Sequence, residues 1–206
     1  MPVHPSGTTE EGTQMIFAQI RPTIVSFILL TVLTGILYPL LVTGIAQTVF
    51  KPQAEGSLIV LKDGKIAGSS LIGQNFDSPK YLWGRISATS PAYNASASSG
   101  SNLGPSNPAL IDELKARIAA LKAADPHNNA PIPVDLVTSS GSGLDPHISL
   151  AAANYQMARI ARARRLAPKA VQTIIAQNIQ GRFLGFLGEP VVNVLQVNLA
   201  LDEYKK

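Results

Sequence analysis

Cysteine is absent from the 206-residue chain, which excludes disulfides, thiol nucleophiles and cysteine metal sites. Histidine occurs only three times, so a catalytic or metal-binding histidine has few candidates. Charged residues make up 15% of the chain, whereas about 25% is usual in soluble domains. Much of the net charge of +4 comes from one arginine-rich segment, residues 159–165, so we expect no nucleic-acid partner.

One long apolar run has no ionisable side chain between Arg21 and Lys51 except the phenol of Tyr38. Crossing a bilayer takes roughly 20 apolar residues, so this run predicts a transmembrane helix. The alternative is a cleaved signal peptide, because Gly44 and Ala46 resemble the small residues of a cleavage site. The apolar core of a signal peptide has about 7–15 residues, and the greater length of this run favours a retained anchor.

Small residues recur at every fourth position of the apolar run, at Thr31, Gly35, Pro39 and Thr43. Side chains spaced in this way lie near one face of a helix. In lipid, small residues let a second helix approach closely, and Gln47, one turn further on, is placed to hydrogen-bond across such a contact. We therefore predict that this face packs against another protein. The alternative is a simple anchor, because glycine and proline are frequent in membrane helices.

The sequence predicts three parts: a flexible N-terminal tail over residues 1–20, the transmembrane helix over 21–50, and one folded domain over 51–206. The predicted elements of the domain are a hairpin within 56–74 that turns at Asp63-Gly64, a helix over 108–124, a strand over 134–138, helices that begin at Pro146 and Pro168, and a closing strand over 190–201. This order predicts an α+β domain.

A long polar segment, residues 75–106, is rich in serine, glycine, asparagine and proline. Loops of this length in compact domains are usually functional or disordered. Tyr81, Trp83 and Tyr93 lie in its first part. These aromatic residues indicate that the segment packs on another part of the protein.

A second polar segment, TSSGSGLDPHIS at 138–149, combines a Ser/Gly loop with a predicted helix start. Free N–H groups at a helix N-terminus suit an anion, but the segment lacks the spacing of a phosphate-binding P-loop and of a nucleophile elbow. The structural alternative is that Asp145 caps the helix, that Pro146 is its first residue and that the glycines form the turn.

Two further patterns have ordinary structural explanations. Asp-Pro-His occurs at 125–127 and at 145–147, where turn chemistry explains it better than a metal site does, since no third ligand is apparent. The basic cluster consists of Arg159, Arg162, Arg164 and Arg165. It is typical of a solvated helix face with cations near the C-terminal end of the dipole, with contact to acidic partners or lipid headgroups as the alternative.

Several segments together resemble one family. They are RPTIVSFILLTVLTGILYP, SLIGQNF, YLWGRISAT, YNASASSGSNLGPSNP, SGSGLDPHIS, AAANYQMARIARAR and EPVVNVLQVNLALD. The order and the residues of these motifs are similar to those of the C subunit of the bacterial Kdp potassium-transporting ATPase, over nearly the whole sequence after Gln19. One departure is Ile86, where the family usually has proline.

The resemblance implies a non-catalytic accessory subunit of an ATP-driven, high-affinity potassium import complex that stabilises the assembly. The implied partners are a potassium-binding, channel-like subunit, a P-type ATPase subunit and a small single-span subunit, together with membrane lipid. Potassium is then handled by the partner subunits. The expected location is the bacterial plasma (inner) membrane, with the N-terminus in the cytoplasm and the α+β domain outside it.

The resemblance also implies a proposed role as a catalytic chaperone that raises the ATP affinity of the ATPase subunit. That role assigns nucleotide binding to Ser140, Ser142, Gly143 and Gln156. However, a domain outside the membrane has no ready access to cytoplasmic ATP, which favours the assembly role over direct contact. We expect no catalytic residue, no metal and no covalently bound cofactor in this chain, and ATP only through the complex.

Two functions of other classes stay open on the sequence. An anchored serine hydrolase would need His127 or His147 as its base. A membrane-tethered binding module for a small anion would use the helix start at Gly143–Pro146.

Overall fold

A computed structural model describes residues 8–204, and side chains from Phe17 onward. The first seven residues of the predicted tail lie outside the described residues, whereas the helix that begins at Thr8 includes the rest of that tail. The chain divides into two compact units, residues 1–55 and 56–206. It combines helices with short strands and has one N-terminal apolar helix, so the predicted α+β class is confirmed.

The described part of the first unit, from Thr8 onward, is almost entirely helical. Its elements are α1 (Thr8–Val32), a π-helical segment (Leu33–Leu37), α2 (Tyr38–Val49) and the short α3 (Lys51–Ala54). The stretch Phe17–Val49 is long and apolar enough to cross a membrane, and no part of its most apolar window is buried within the chain. At about 1.5 Å per residue its 33 residues span about 50 Å, which exceeds the hydrocarbon thickness of a bilayer.

The π-helical segment lies just before Pro39. Proline has no N–H, and in an α-helix its ring clashes with the carbonyl four residues earlier, which here belongs to Gly35. The N–H of Tyr38 donates to the carbonyl of Leu33, five residues back, so the turn before the proline is wider than an α-helical turn. The helix thus passes the proline without ending.

The second unit contains two small antiparallel sheets. The strands are β1 (Leu58–Val60), β2 (Ile66–Ser69), β3 (His147–Ser149), β4 (Ile179–Gln180) and β5 (Val191–Asn193). β1 and β2 form the predicted hairpin, with Gly64 at a φ of +83° in its turn. The other sheet has the order β3-β5-β4, with Ile148 opposite Val192 and Ile179 also opposite Val192. The central strand therefore joins segments that lie far apart in the sequence.

Four helices complete the second unit: α4 (Pro108–Ala124), α5 (Leu150–Arg164), α6 (Pro168–Gln177) and α7 (Val194–Glu203). The predicted start of α4 is confirmed, since the Asn107 side chain accepts a hydrogen bond from the N–H of Ala109 and Pro108 occupies the first turn. The predicted end of α4 at Asp125 is also confirmed, because Asp125 is its C-terminal cap.

Three predicted elements are wrong. Residues 134–138 do not form a strand; they begin with a 3₁₀ turn, Val134–Leu136, in which the N–H of Val137 donates to the carbonyl of Val134. No helix begins at Asp145 and Pro146, because residues 147–149 pair with β5 instead. The actual cap of α5 is Ser149, whose hydroxyl accepts from the N–H of Ala152.

The third error concerns the closing segment PVVNVLQVNLAL, which was predicted as one strand. Only Val191–Asn193 is extended, and α7 follows directly. The switch occurs at Asn193, whose side chain accepts from the N–H of Gln196 and caps the helix. The buried positions 194, 195, 197, 198 and 201 follow the helical spacing of three and four residues.

The hydrophobic core lies where α5, α6 and α7 meet the three-stranded sheet. It consists of aliphatic residues from these elements, one residue each from α4 and the 3₁₀ turn, and two residues from the long polar segment, namely Leu82, Trp83, Leu121, Leu136, Ile148, Ala152, Ala153, Ile160, Ala161, Val171, Ile174, Ile175, Val192, Val194, Val197 and Leu201. Because Leu82 and Trp83 belong to this core, the polar segment is fixed to the domain.

Candidate functional site

The small-residue face of the apolar helix is exposed at all of its predicted positions, Thr31, Gly35, Pro39, Thr43 and Gln47. A Cβ added at Gly35 would contact nothing within 4 Å. A spacing of four residues advances by about 40° per step around an α-helix. The wider π turn rotates less per residue, so it reduces this drift between Thr31 and Pro39.

The threonines of the apolar helix differ in how their hydroxyls are satisfied. The hydroxyls of Thr23, Thr34 and Thr48 each donate to the carbonyl four residues earlier, at 2.7–2.8 Å. Thr31 and Thr43 make no side-chain hydrogen bond within the described part of the chain. The two threonines on the small-residue face therefore keep hydroxyls that can bond to a neighbouring helix.

The Ser/Gly loop, residues 139–144, is hydrogen-bonded to the long polar segment, with Ser140 and Gly143 buried and Gly141 and Ser142 exposed. The carbonyl of Ser142 accepts hydrogen bonds from the N–H of Ser99 and the hydroxyl of Ser98, both at 3.0 Å. The Ser87 hydroxyl donates to the carbonyl of Gly143 at 2.6 Å. The N–H of Ser140, a buried residue, donates to the carbonyl of Ile86. Backbone groups of three predicted nucleotide-binding residues, Ser140, Ser142 and Gly143, are therefore hydrogen-bonded to the long polar segment.

Glycine is required at position 143 for a reason unrelated to phosphate. Its φ is +68°, a conformation that side chains other than glycine rarely adopt. An added Cβ would lie 2.6 Å from the carbonyl oxygen of Ser99 and 2.7 Å from Cγ2 of Thr89. The close approach of two loops explains this glycine.

Gln156, the fourth predicted nucleotide-binding residue, lies in the core on α5 with 1% of its surface exposed. Its Oε1 accepts from the N–H of Trp83 at 2.9 Å and from the Arg159 guanidinium at 2.6 Å. Its Nε2 donates to the carbonyls of Trp83 and Ala152. All the hydrogen-bonding capacity of this amide is thus used inside the domain.

Asn198 on α7 repeats this arrangement on the neighbouring residue. Its side chain accepts from the N–H of Leu82 at 2.7 Å and donates to the carbonyl of Leu82 at 2.9 Å. Two side-chain amides therefore pair with consecutive backbone units, as a neighbouring strand would. This pairing satisfies buried backbone groups in a segment that has no regular secondary structure.

The indole of Trp83 lies between two arginines. The Arg159 guanidinium carbon is 4.5 Å from the ring centroid, and that of Arg117 is 5.2 Å away. Burial lowers the pKa of Arg159 to about 10, so the side chain stays protonated at neutral pH. The face of the ring attracts each cation and offsets part of the lost hydration.

The predicted solvated face of the basic cluster is wrong for two of its members. Arg159 is 3% exposed and donates to the carbonyl of Pro79. Arg164 donates to the carbonyls of Lys80 and Leu201 and pairs with Asp202. These arginines bind the start of the polar segment and the end of α7. The spacing of the arginines indicated a helix end, but it did not reveal that neighbouring carbonyls would surround them.

The second Asp-Pro-His segment lines a cavity of about 460 Å³ beside β3. Asp145 accepts from the N–H of His147 and pairs with Arg85 at 3.2 Å. Nε2 of His147 and Nε of Arg85 are buried without a hydrogen-bond partner. Among the described residues no three His, Asp or Glu side chains form a possible metal site, and no serine hydroxyl bonds to His127 or His147.

Comparison with known proteins gives one result over most of the chain. The family described as "K+-transporting ATPase, c chain" matches residues 20–203. A protein of Dechloromonas aromatica named potassium-transporting ATPase KdpC subunit is 62% identical over 188 residues, which cover 91% of this chain and 98% of the relative. A relative of the same name from Paraburkholderia xenovorans is 62% identical and covers 90% of this chain and 97% of its own length. The chain belongs to the KdpC family.

Proposed function

We propose that this chain is a non-catalytic accessory subunit of a potassium-transporting ATPase complex and that it stabilises the assembly. The observation that carries the proposal is the 33-residue apolar helix, none of whose most apolar window is covered by the chain itself. Its small-residue face supplies the close contact by which helices pair in lipid. The names of the relatives supply the kind of complex.

The partners in this proposal are a channel-like potassium-binding subunit, a P-type ATPase subunit and a small single-span subunit. The helix lies in a bacterial plasma membrane with its N-terminus in the cytoplasm and the α+β domain outside. Protease treatment of intact and opened cells tests this orientation. Cleavage of the domain in intact cells is expected, and protection until the cells are opened would reverse the assignment.

A rise in the ATP affinity of the ATPase subunit is also part of the proposal. We assign it to assembly rather than to nucleotide contact with this chain. The reason is that the amide of Gln156 is fully hydrogen-bonded in the core and that Ser140 and Gly143 are buried against residues 86–99, although Ser142 is exposed. Potassium is handled by the partner subunits.

The test is purification of the complex through a tag on this chain, with Gly35→Leu as the variant. Leucine at this position adds bulk to the small-residue face, so we expect the larger subunits to be lost from the purified material. Gly44→Leu is the matched control, because a Cβ added at Gly44 would also contact nothing within 4 Å and Gly44 lies outside the series of four-residue steps.

Recovery of the unmodified chain without any large membrane subunit would overturn the accessory role. Equal recovery of partners with Gly35→Leu and with the unmodified chain would retain that role but remove the small-residue face as its basis. Equal loss with both glycine variants would show that bulk anywhere on the helix is harmful, and would likewise remove the face.

A further inference from the structure

The connection between β4 and β5 has an exposed apolar turn at its centre, residues 183–187, which we call the apolar tip. Four of its five side chains are large and apolar, and their exposed fractions are 69% for Phe183, 70% for Leu184, 69% for Phe186 and 48% for Leu187. The fifth residue is Gly185, where an added Cβ would contact nothing within 4 Å. The tip therefore projects from the domain with little contact to it.

The backbone of the apolar tip is largely hydrogen-bonded within the tip itself. Phe183 and Leu187 exchange N–H···O bonds at 2.9 Å, the N–H of Phe186 donates to Phe183, and that of Gly185 donates to Arg182. Backbone groups in hydrocarbon must be satisfied inside the segment, since no water reaches them there. The apolar tip meets this requirement at four of its five N–H groups and at two of its five carbonyls, those of Phe183 and Leu187.

The conformation at the turn is not the one that folding alone would select for this sequence. Leu184 and Gly185 have φ values of +52° and +83°, as in the turn type that favours Asn-Gly. A bulky leucine is rare in this left-handed region. A residue that is both unfavourable for the turn and 70% exposed is best explained by a contact outside the domain.

The polarity of the apolar tip favours lipid over a protein surface. Residues 183–188 contain no polar side chain, and the flanking Arg182 and Glu189 neutralise each other at 2.7 Å. Contacts between proteins also use phenylalanine, but they usually combine it with tyrosine, tryptophan or arginine and with side-chain hydrogen bonds. The tip offers phenylalanine and leucine alone.

The chain itself keeps the domain close to a bilayer if the apolar helix spans one. Only residues 50–57 separate the end of α2 from β1. Even fully extended, eight residues reach no more than about 29 Å. Tethering makes a second, weak membrane contact effectively intramolecular, so a few apolar side chains are sufficient.

We propose that the apolar tip inserts into the acyl-chain region of the bilayer that holds the anchor helix, as a second membrane contact of the domain. This contact does not depend on potassium transport or on partner subunits. It would restrict the orientation of the domain relative to the membrane surface.

The absence of native cysteine makes a direct test possible, because a single introduced cysteine carries the only label. Phe186→Cys and Leu184→Cys are labelled with an environment-sensitive fluorophore in the full chain. The chain is reconstituted in vesicles of phosphatidylethanolamine and phosphatidylglycerol, with and without lipids that carry a nitroxide quencher on the acyl chain. Val134→Cys is the matched control, an apolar side chain that is 71% exposed on another part of the domain.

We expect blue-shifted emission and several-fold stronger acyl-chain quenching at positions 184 and 186 than at position 134. Water-like emission without quenching at both tip positions would overturn the proposal. So would labels that are shielded only in the assembled transporter and are not quenched by lipid, since the tip would then bind a partner subunit. A double variant, Phe183→Ser with Phe186→Ser, gives the second readout, and label at Leu184 should then lose its blue shift.

Discussion

The apolar helix and the folded domain differ in where their polar groups find hydrogen-bond partners and in whether their apolar side chains are covered. In the helix, backbone groups bond within the segment, and Thr23, Thr34 and Thr48 bond to their own carbonyls, while the apolar side chains remain uncovered. In the domain, the core apolar side chains are covered, the apolar tip excepted, and long-range hydrogen bonds join polar groups up to 141 residues apart. The helix bonds its own backbone, leaves the hydroxyls of Thr31 and Thr43 for a neighbour and needs an apolar environment, whereas the domain buries its own core.

This difference shows where each region gets its structure. The polar segment 75–106 has almost no regular secondary structure, yet α5 and α7 hold Leu82 and Trp83 through two side-chain amides. Its order depends on contacts distant in the sequence. The structure of the helix depends on local hydrogen bonds and on its apolar surroundings. Substitutions in one region should therefore leave the stability of the other region unchanged.

Trp83→Ala should have the largest effect on the domain. Truncation of a buried tryptophan costs about 3–5 kcal/mol, and here it also removes the ring between Arg117 and Arg159. We therefore expect a loss near the upper end, about 5 kcal/mol, measured by denaturant unfolding of the full chain in detergent.

The control for this variant is Val134→Ala, an exposed site where the change should stay within about 0.5 kcal/mol. Far-ultraviolet circular dichroism should retain the signal of the apolar helix after the domain unfolds. Simultaneous loss of both signals in one transition would mean that the two regions are not energetically separate.

Gln156→Ala should have the next largest effect, about 3 kcal/mol. It leaves the N–H and the carbonyl of Trp83 buried without a partner, at about 1–3 kcal/mol each. Gln172→Ala on the exposed side of α6 is the control and should be nearly neutral. A variant of Gln156 with unchanged stability but weaker ATP binding by calorimetry would reverse our account and support the nucleotide role.

A smaller effect should come from alkaline pH. Burial raises the pKa of Tyr93 to about 12 from an ordinary value of 10, and its hydroxyl donates to the carbonyl of Arg85. The unfolded chain loses this proton first, so the stability that Tyr93 contributes is full below pH 10 and falls by about 3 kcal/mol as pH rises towards 12. The lowered pKa of Arg159 contributes in the opposite direction above pH 10, so the difference between the native profile and that of Tyr93→Phe isolates the contribution of the tyrosine. A profile of Tyr93→Phe equally steep between pH 10 and 12 would show that other groups cause the loss.

Local signals were sufficient to predict several elements from the sequence. The uncharged run predicted the apolar helix, Asp63-Gly64 predicted the first hairpin, and Asn107-Pro108 predicted the start of α4. Each of these features depends on neighbouring residues, such as a turn conformation or a cap. The set of motifs after Gln19 also predicted the family, which the comparisons show.

The remaining features depended on distant contacts or on a choice between two periods. The closing segment fits both a strand and a helix, and the cap at Asn193 decides between them. The roles of Gln156 and Arg159 follow from a partner segment more than 70 residues away, so a count of arginines on α5 indicated only a charged face. The nucleotide-binding residues and the small-residue face remain predictions.

The most direct test of the central claim, that the small-residue face contacts another polypeptide, is photo-crosslinking within the membrane. A photoreactive residue replaces Thr43 in one variant and Leu41 in the other. These positions are two residues apart, so their side chains point in directions about 160° apart on an α-helix. We predict that position 43 cross-links to a larger subunit of the transporter and that position 41 does not. Equal cross-linking from both positions, or products with lipid alone from position 43, would contradict the account.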